Sequence, residues 1–556
     1  MEHAHYNYWP KGLPRIVSLP ATSLAYNLDV SAARYPEKTA ISYYGSSLSY
    51  NRLKSEAEAL AGYLQQRCGV KKGDRVLLYM QNSPQFIIAY YAILRANAVV
   101  VPANPMNLTD EMRHYCTDAG ISAAICASEL FSRIEPLMGA GGLEYAVVAD
   151  YGDYAAESAD IPKPEFLTAA ATEPAIPGGE DWGKVLAAGL KPGPLLTGSD
   201  DLAAICYTSG TTGKPKGCMH THSSLMATTA IPSVWQGASC QDVLLGVVPF
   251  FHVTGMQIVM NMSVYLGAEI IVMTRWDREL ALALIKRHQV TNWTNIPTMV
   301  IDLFASPNFK SDSLNSLRYI GGGGAAMPEA IAKRLYELTG LAYVEGYGLT
   351  ETAAPTHSNH GSRPKRQCLG IPLCNTEALV MNPDTLEPLG PNQTGEIVSR
   401  GPQIFSGYWN NPKATGECFV EIDGKMFFRT GDLGYYDDEG YFFIVDRLKR
   451  MINASGFKVW PAEVESIMYG HPDILEACII STEDAHRGET VKAVVVLKET
   501  ARKGKITDRD IIDWCRERMA AYKYPRLVEF VDALPKTASG KVQWRLLQEM
   551  DKAKGK

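Results

Sequence analysis

A chain of 556 residues exceeds what one hydrophobic core usually supports, so at least two domains are expected. With 46% hydrophobic and 21% charged residues, the composition is that of an ordinary globular protein. A net charge of -6 supplies no overall basic field; it excludes nucleic-acid binding driven by bulk electrostatics and requires any anionic ligand to be held by local features.

The opening MEHAHYNYWPKGLP lacks a basic segment followed by an apolar stretch, so no secretory signal is expected and the reading is cytoplasmic. RVLLYM (75–80) and AVVVPA (98–103) read as strands, and FIIAYYAILRA (86–96) between them as a helix. That alternation favours α/β layers with a largely parallel sheet. Residues 155–199, rich in Ala, Pro, Gly and Glu, read as a connecting or peripheral segment. LAAICYT (202–208) is a short apolar run that reads as a buried strand.

That strand feeds YTSGTTGKPKG (207–217), the most informative stretch of the chain. Its glycines allow close backbone approach to an anion, and main-chain N–H groups in such turns form an anion-binding concavity. Thr208, Ser209, Thr211 and Thr212 add hydroxyl donors, while Lys214 and Lys216 add positive charge. The ATPase P-loop does not match, because two residues separate Gly210 from Gly213 and Pro215 follows Lys214. The apolar stretch 256–273 is interrupted by Asn261, Ser263, Gly267 and Glu269, and reads as core helix and strand, so no integral membrane segment is expected. Eleven cysteines show no zinc-like spacing and read as reduced thiols.

Four more segments each offer something that nucleotide chemistry needs. GGGGAAMP (321–328) reads as a glycine turn running into a helix begun by Pro328, which admits a flat ring close to the backbone. GYGLTE (346–351) places Tyr347 where it could stack on a base and Glu351 where it could hold Mg²⁺; one carboxylate is enough when phosphate oxygens and water complete the shell. RTGDLG (429–434) puts Asp432 in a glycine-bounded turn, able to accept ribose hydroxyl protons. After Val445 the texture changes: DRLKR (446–450) concentrates charge, Pro461 opens a helix, Thr507 with Asp510 forms a helix-starting cap, and 494–497 and 527–531 read as strands. PKTASGK (535–541) then ends on Lys541.

In this order the segments resemble the superfamily of adenylate-forming enzymes that includes acyl-CoA synthetases, nonribosomal-peptide adenylation domains and firefly luciferase, over about residues 25–547. The resemblance implies an α/β fold: a large N-terminal domain of three subdomains (1–445), a hinge (446–450) with Lys449 at its pivot, and a small mobile α+β C-terminal lid (451–556). By the same resemblance Thr208, Ser209, Gly210, Thr211, Thr212, Gly213 and Lys214 meet the triphosphate, and Gly322, Gly323, Gly324 and Tyr347 the adenine. Thr350 meets the α-phosphate, Glu351 holds the metal, and Asp432 and Arg447 contact the ribose. Lys541 swings in for adenylation, and pantetheine passes beside Gly456 during thioester formation.

PFFHVTGM (249–256) resembles the segment bordering the acyl pocket, which nominates His252 and Met256, with Asn295 as a further wall. Met256 stands where some long-chain synthetases carry a gating tryptophan. The implied reaction is ATP- and Mg²⁺-dependent joining of a hydrophobic carboxylic acid, a medium- to long-chain fatty acid, to CoA through acyl-AMP, with no nucleic acid involved and a homodimer allowed. An aryl-acid CoA ligase is the nearest rival, and a noncatalytic nucleotide-binding protein of the same fold is the alternative of a different class.

Overall fold

The computed structural model describes residues 4–139, 142–156, 161–168, 178–208, 215–324, 326–454, 457–484, 488–499, 506–536 and 542–554. The chain divides into two compact units, Met1–Glu377 with Ser399–Phe428, and Ala378–Val398 with Arg429–Lys556. The stretches 378–398 and 429–445, expected with the N-terminal part, therefore group with the C-terminal segment.

Two sheets lie wholly within the first unit among the described residues. One has the strand order Glu180–Asp181, Tyr145–Ala149, Ala123–Ala127, Arg75–Tyr79, Val99–Pro102, Leu202–Thr208, Lys216–Thr221; every pair is parallel except the last, an antiparallel hairpin at the sheet edge. The other runs Ile371–Pro372, Ala354–Ser358, Val344–Leu349, Tyr319–Gly323, Asn292–Asn295, Val243–Gly246, Glu269–Val272, Thr39–Tyr43, Ser46–Ser49, parallel through its middle and antiparallel at both ends.

The helix Pro84–Arg95 shows how local sequence builds this unit. The Ser83 side chain accepts from the Phe86 amide at 3.1 Å and Pro84 opens the first turn, so the helix start is satisfied before packing begins. Every residue from Pro84 to Leu94 is buried, as an apolar sequence without a polar face requires. The apolar stretch after residue 255 becomes a π-helix, Gly255–Asn261, a short α-helix, Met262–Leu266, and the strand Glu269–Val272. Among the described residues no helix is long and apolar enough to cross a membrane.

The second unit contains the expected α+β segment. Strands Ile452–Ala454, Ile474–Asp484, Gly488–Leu497 and Leu527–Phe530 share a sheet. The helices Pro461–Met468 and Asp508–Arg516 bury Val464, Met468, Ile511 and Cys515 against Ile479, Ala493 and Val495. Thr507 and Asp510 form the capping box that the sequence announces.

Two local expectations are corrected. Gly321–Gly323 lie within the strand Tyr319–Gly323, and the turn begins only at Gly324, with φ +85°. Asp432 lies inside the strand Lys425–Tyr436, directly opposite Arg447 on the strand Phe442–Arg447. In both cases a neighbouring strand supplies the hydrogen bonds that an isolated glycine-rich sequence would otherwise leave to a turn.

Three buried imidazoles set an acid limit on the first unit. Burial pushes His220 and His222 down to about 4 and His357 to about 3, against an ordinary value of 6.5. Below pH 6.5 the unfolded chain binds protons that the folded chain refuses, so stability falls as pH drops from about 6.5 toward 4, by on the order of 3 kcal/mol per imidazole. Denaturant midpoints measured between pH 7.5 and 4.5 are expected to decline steadily, and a flat profile would contradict neutral burial of these rings.

Candidate active site

The hairpin pairs Thr208 with Lys216 and Tyr207 with Gly217, which brings both stems of the glycine- and hydroxyl-rich loop to one sheet edge. Thr208 closes the first stem, while Ser209, Gly210, Thr211, Thr212, Gly213 and Lys214 lie outside the described residues. The helix Thr109–Ala119 grips both stems. The ring of Tyr115 stacks on Tyr207 at 4.1 Å, the Tyr207 hydroxyl donates to Asp118 Oδ2 at 2.6 Å, and His114 Nε2 donates to the Pro215 carbonyl at 2.9 Å. Burial, then the Asp118 carboxylate, push the Tyr207 phenol up, so it stays a donor.

Trp409 and Asn410 complete the clamp by donating to the Asp118 carbonyl at 2.9 and 3.0 Å. Beside the stems lies a cavity of about 300 Å³ lined by His114, Asp118, Lys216 and Trp409 among others. Replacing Asp118 with Ala is expected to weaken ATP binding roughly tenfold, the usual cost of a hydrogen bond to a charged group. Nucleotide titration checks this; unchanged affinity would show that the clamp does not shape the loop.

The second element of the site is the turn that ends the strand Val344–Leu349. Thr350–Thr352 form one 3₁₀ turn, closed by the Thr352 hydroxyl, which accepts from the Leu349 amide at 2.9 Å. The Thr350 carbonyl accepts from His220 Nε2 at 2.8 Å; burial keeps this imidazole neutral, and a carbonyl partner fixes its proton on Nε2. The Glu351 carbonyl accepts from the Phe405 amide at 2.9 Å, and Glu351 Oε1 accepts from the Tyr408 hydroxyl at 2.7 Å.

The segment that carries Phe405 and Tyr408 is hydrogen-bonded along the second hairpin strand. Ser406 N donates to the Met219 carbonyl at 2.9 Å, Met219 N to the Gly407 carbonyl at 3.0 Å, and Trp409 N to the Gly217 carbonyl at 2.7 Å. Lys216 Nζ lies 4.7 Å from the centre of the Tyr408 ring. The strand Lys216–Thr221 therefore fixes the acidic turn through His220 and again through residues 405–409. Glu351 Oε2 has no hydrogen-bond partner among the described residues, so one oxygen of a half-buried carboxylate is available to a cation beside the hairpin stem. That donor fits Mg²⁺, which takes one or two carboxylates together with phosphate oxygens and water.

The remaining nominated residues of this unit are spread over the neighbouring strands. Gly322 and Gly323 pair with Asn295 and Gly346 respectively. Tyr347 is largely buried, its ring 5.7 Å from that of His357. Met256 and Asn295 are buried, and Asn295 Oδ1 accepts from the Tyr343 hydroxyl at 3.1 Å. His252 is exposed, one turn before Met256, whose amide donates to the His252 carbonyl at 3.0 Å. Sequence reasoning does not single out His114, Asp118, His220 or Tyr408; GYWNNP (407–412) carries a local aromatic signal, but no motif links it to Glu351.

In the second unit, Arg447 Nε lies 2.9 Å from Asp432 Oδ1, and the Asp432 side chain is buried. Within 446–450, Asp446 and Arg450 are held by local partners. Asp446 accepts from the amides of Arg447 and Ala462, each at 2.6 Å, and Arg450 pairs with Glu465. Lys449 lies in the 3₁₀ turn Leu448–Arg450. Gly456 and Lys541 lie outside the described residues.

A parallel α/β unit whose edge hairpin has its stems tied to an acidic turn, with a glycine-, hydroxyl- and lysine-rich sequence between those stems, fits a nucleotide-using enzyme. The chain belongs to the AMP-binding enzyme family, whose model matches residues 28–409, with the model of the family's C-terminal domain matching residues 463–541. It is 37% identical over 560 residues to a long-chain-fatty-acid–CoA ligase of Bacillus subtilis (strain 168), covering 97% of each chain. It is 31% identical over 577 residues to a long-chain-fatty-acid–CoA ligase of Escherichia coli O157:H7, covering 100% of this chain and 99% of the other. Among solved structures, ATP-bound MatB from Rhodopseudomonas palustris superposes with a TM-score of 0.84 at 28% identity, covering 97% of this chain and 100% of that one. The resemblance stated from sequence and the mixed α/β fold expected from it both hold.

Proposed function

We propose that the protein is an ATP-dependent acid:CoA ligase that activates a medium- to long-chain fatty acid as acyl-AMP, releases pyrophosphate and transfers the acyl group to CoA. The observation that carries this reading is the shared frame that ties the hairpin stems to the Glu351 turn; a polyphosphate held by the loop and a cation held by Glu351 would then be neighbours. The names of the full-length relatives support the fatty acid and CoA as the other two substrates. Buried Met256, flexible and apolar, suits an aliphatic chain. The reading places the enzyme in the cytoplasm, alone or as a homodimer.

In the first step a carboxylate oxygen attacks the α-phosphorus of ATP, an O–P bond forms, and pyrophosphate leaves. Two anions must meet, so repulsion is the first barrier. Thr208 and the loop residues 209–214 hold the triphosphate, Thr350 the α-phosphate, and Tyr347 with Gly322, Gly323 and Gly324 the adenine. Asp432 and Arg447 are assigned to the ribose. Mg²⁺, held by Glu351, would neutralise charge on the phosphates. Lys541 is assigned the developing charge between carboxylate and α-phosphate oxygens, and His252 borders the acid.

In the second step the CoA thiolate attacks the acyl carbonyl carbon, the C–O bond to phosphate breaks, and AMP leaves. Lys541 is needed only for the first step, so movement about Lys449 would withdraw it and present Gly456 to pantetheine, with closure excluding water from the hydrolysable adenylate. Replacing Gly456 with Trp is expected to leave acyl-AMP formation intact and abolish acyl-CoA formation; normal CoA turnover in that variant would contradict the assignment.

The reading as a whole is tested by supplying the purified protein with MgATP, CoA and a panel of saturated fatty acids, benzoate and cinnamate, and weighing the products by mass spectrometry. Fatty acyl-CoA is expected in preference to aryl-CoA. Preference for the aryl acids would reassign the substrate, and absence of any acyl-CoA would reject the ligase.

A further inference from the structure

We propose that Tyr408 is a positioning residue for the cation-binding carboxylate, holding Glu351 Oε1 through its hydroxyl so that Oε2 is presented to a divalent cation on the nucleotide. The inference rests on the reading of Glu351 as the metal ligand, and it adds a residue that acts through Glu351 without touching the substrate.

Tyr408 is itself fixed more firmly than hydroxyl pairing alone requires. Its amide donates to Thr415 Oγ1 at 2.9 Å, its neighbours Ser406, Gly407 and Trp409 are bonded along the strand Lys216–Thr221, and its ring packs 4.9 Å from that of Phe405. Phe405 N in turn holds the Glu351 carbonyl, so one short segment grips the acidic residue by both main chain and side chain. A carboxylate side chain has rotatable bonds whose freedom would otherwise be lost on metal binding, and a preset orientation removes part of that cost.

The phenol is suited to the task. Its hydroxyl is a neutral donor and reaches Glu351 Oε1 at 2.7 Å. The pairing is neutral donor to carboxylate, and it leaves the negative charge on Glu351 available to the cation, as an ion pair with Arg or Lys would not. Lys216 sits over the face of the Tyr408 ring and not on the carboxylate. Because the same strand leads out of the phosphate loop, the position of Glu351 is tied to that of the loop.

The test is calorimetric titration of the full-length wild type, Tyr408→Phe, Glu351→Gln and the double variant with ATP, once in Mg²⁺ and once in excess EDTA. Phenylalanine keeps the ring packing, and the thermal midpoint of each variant checks that it folds. Wild type is expected to bind ATP more tightly with Mg²⁺ than without, and Tyr408→Phe to lose roughly tenfold of that advantage while its metal-free affinity is unchanged. The double variant should match Glu351→Gln, since Tyr408 acts only through that carboxylate.

Equal loss by Tyr408→Phe with and without Mg²⁺ would assign the phenol to packing and overturn the proposal. Full retention of the Mg²⁺ advantage, or tighter Mg²⁺-dependent binding, would overturn it as well, the latter by showing that the phenol shields Glu351. If Glu351→Gln keeps the wild-type advantage, the metal assignment itself fails, an outcome distinct from failure of Tyr408→Phe alone.

Discussion

Lys541→Ala is expected to lower the rate of acyl-AMP formation by roughly 100- to 1000-fold, the loss typical of a group that stabilises transition-state charge. Thioester formation from supplied acyl-AMP should stay close to the wild-type rate. The asymmetry follows from the chemistry of the two steps. In the first, negative charge accumulates between the attacking carboxylate and the α-phosphate, and a cation placed there lowers the barrier. In the second, the nucleophile is a thiolate and the leaving group is AMP, so a cation fixed in the first position has no corresponding task. Rapid quench of each half-reaction separates the two, and equal loss in both would reject the division of labour.

Gly322→Ala is expected to destabilise the first unit severely and to remove ATP binding with it. An ideal Cβ at this position would lie 1.8 Å from the Asn295 carbonyl oxygen and 2.8 Å from the Tyr343 hydroxyl. The first neighbour is main chain of the adjacent strand, which no rotamer change can withdraw. The strands Asn292–Asn295 and Tyr319–Gly323 would have to part in the middle of their sheet, at a cost of roughly 3 kcal/mol or more. Denaturant unfolding measures the loss. A shift below about 1 kcal/mol, near the average for a point substitution, would show that the sheet yields more readily than its geometry implies.

The same glycine marks the boundary of what could be read from sequence. The strands Arg75–Tyr79 and Leu202–Thr208, the Pro461 helix and the Thr507 cap were legible because their signals are local: a short apolar run, a proline at a helix start, a hydroxyl three residues before an acid. The glycine run at 321–324 and the RTGDLG segment misled on conformation, because glycine permits a turn and only a distant partner strand makes it a strand. Asn295 and Arg447 supply those partners, and neither lies within the local sequence of the residue it pairs.

Candidate site residues could be nominated where they sit inside a motif, as Glu351 does. Its supports were not. Tyr408 is 57 positions away and reaches Glu351 only because residues 406–409 run along the hairpin strand, and His220 meets Thr350 across 130 positions. Asp118 likewise anchors Tyr207 from a separate helix. Sequence thus nominated candidates for the nucleotide and missed the residues that the structure bonds to them, since a holding residue needs the right place in the fold more than a distinctive neighbourhood.

The most direct test of the central claim is the fate of oxygen from the acid. A fatty acid labelled with ¹⁸O in its carboxylate is incubated with the enzyme, MgATP and CoA, and the released AMP is weighed. Attack of the carboxylate on the α-phosphorus, followed by cleavage of the acyl C–O bond by the thiol, predicts one ¹⁸O in AMP. Label in inorganic phosphate, accompanied by ADP, would mean attack at the γ-phosphorus and would contradict the account.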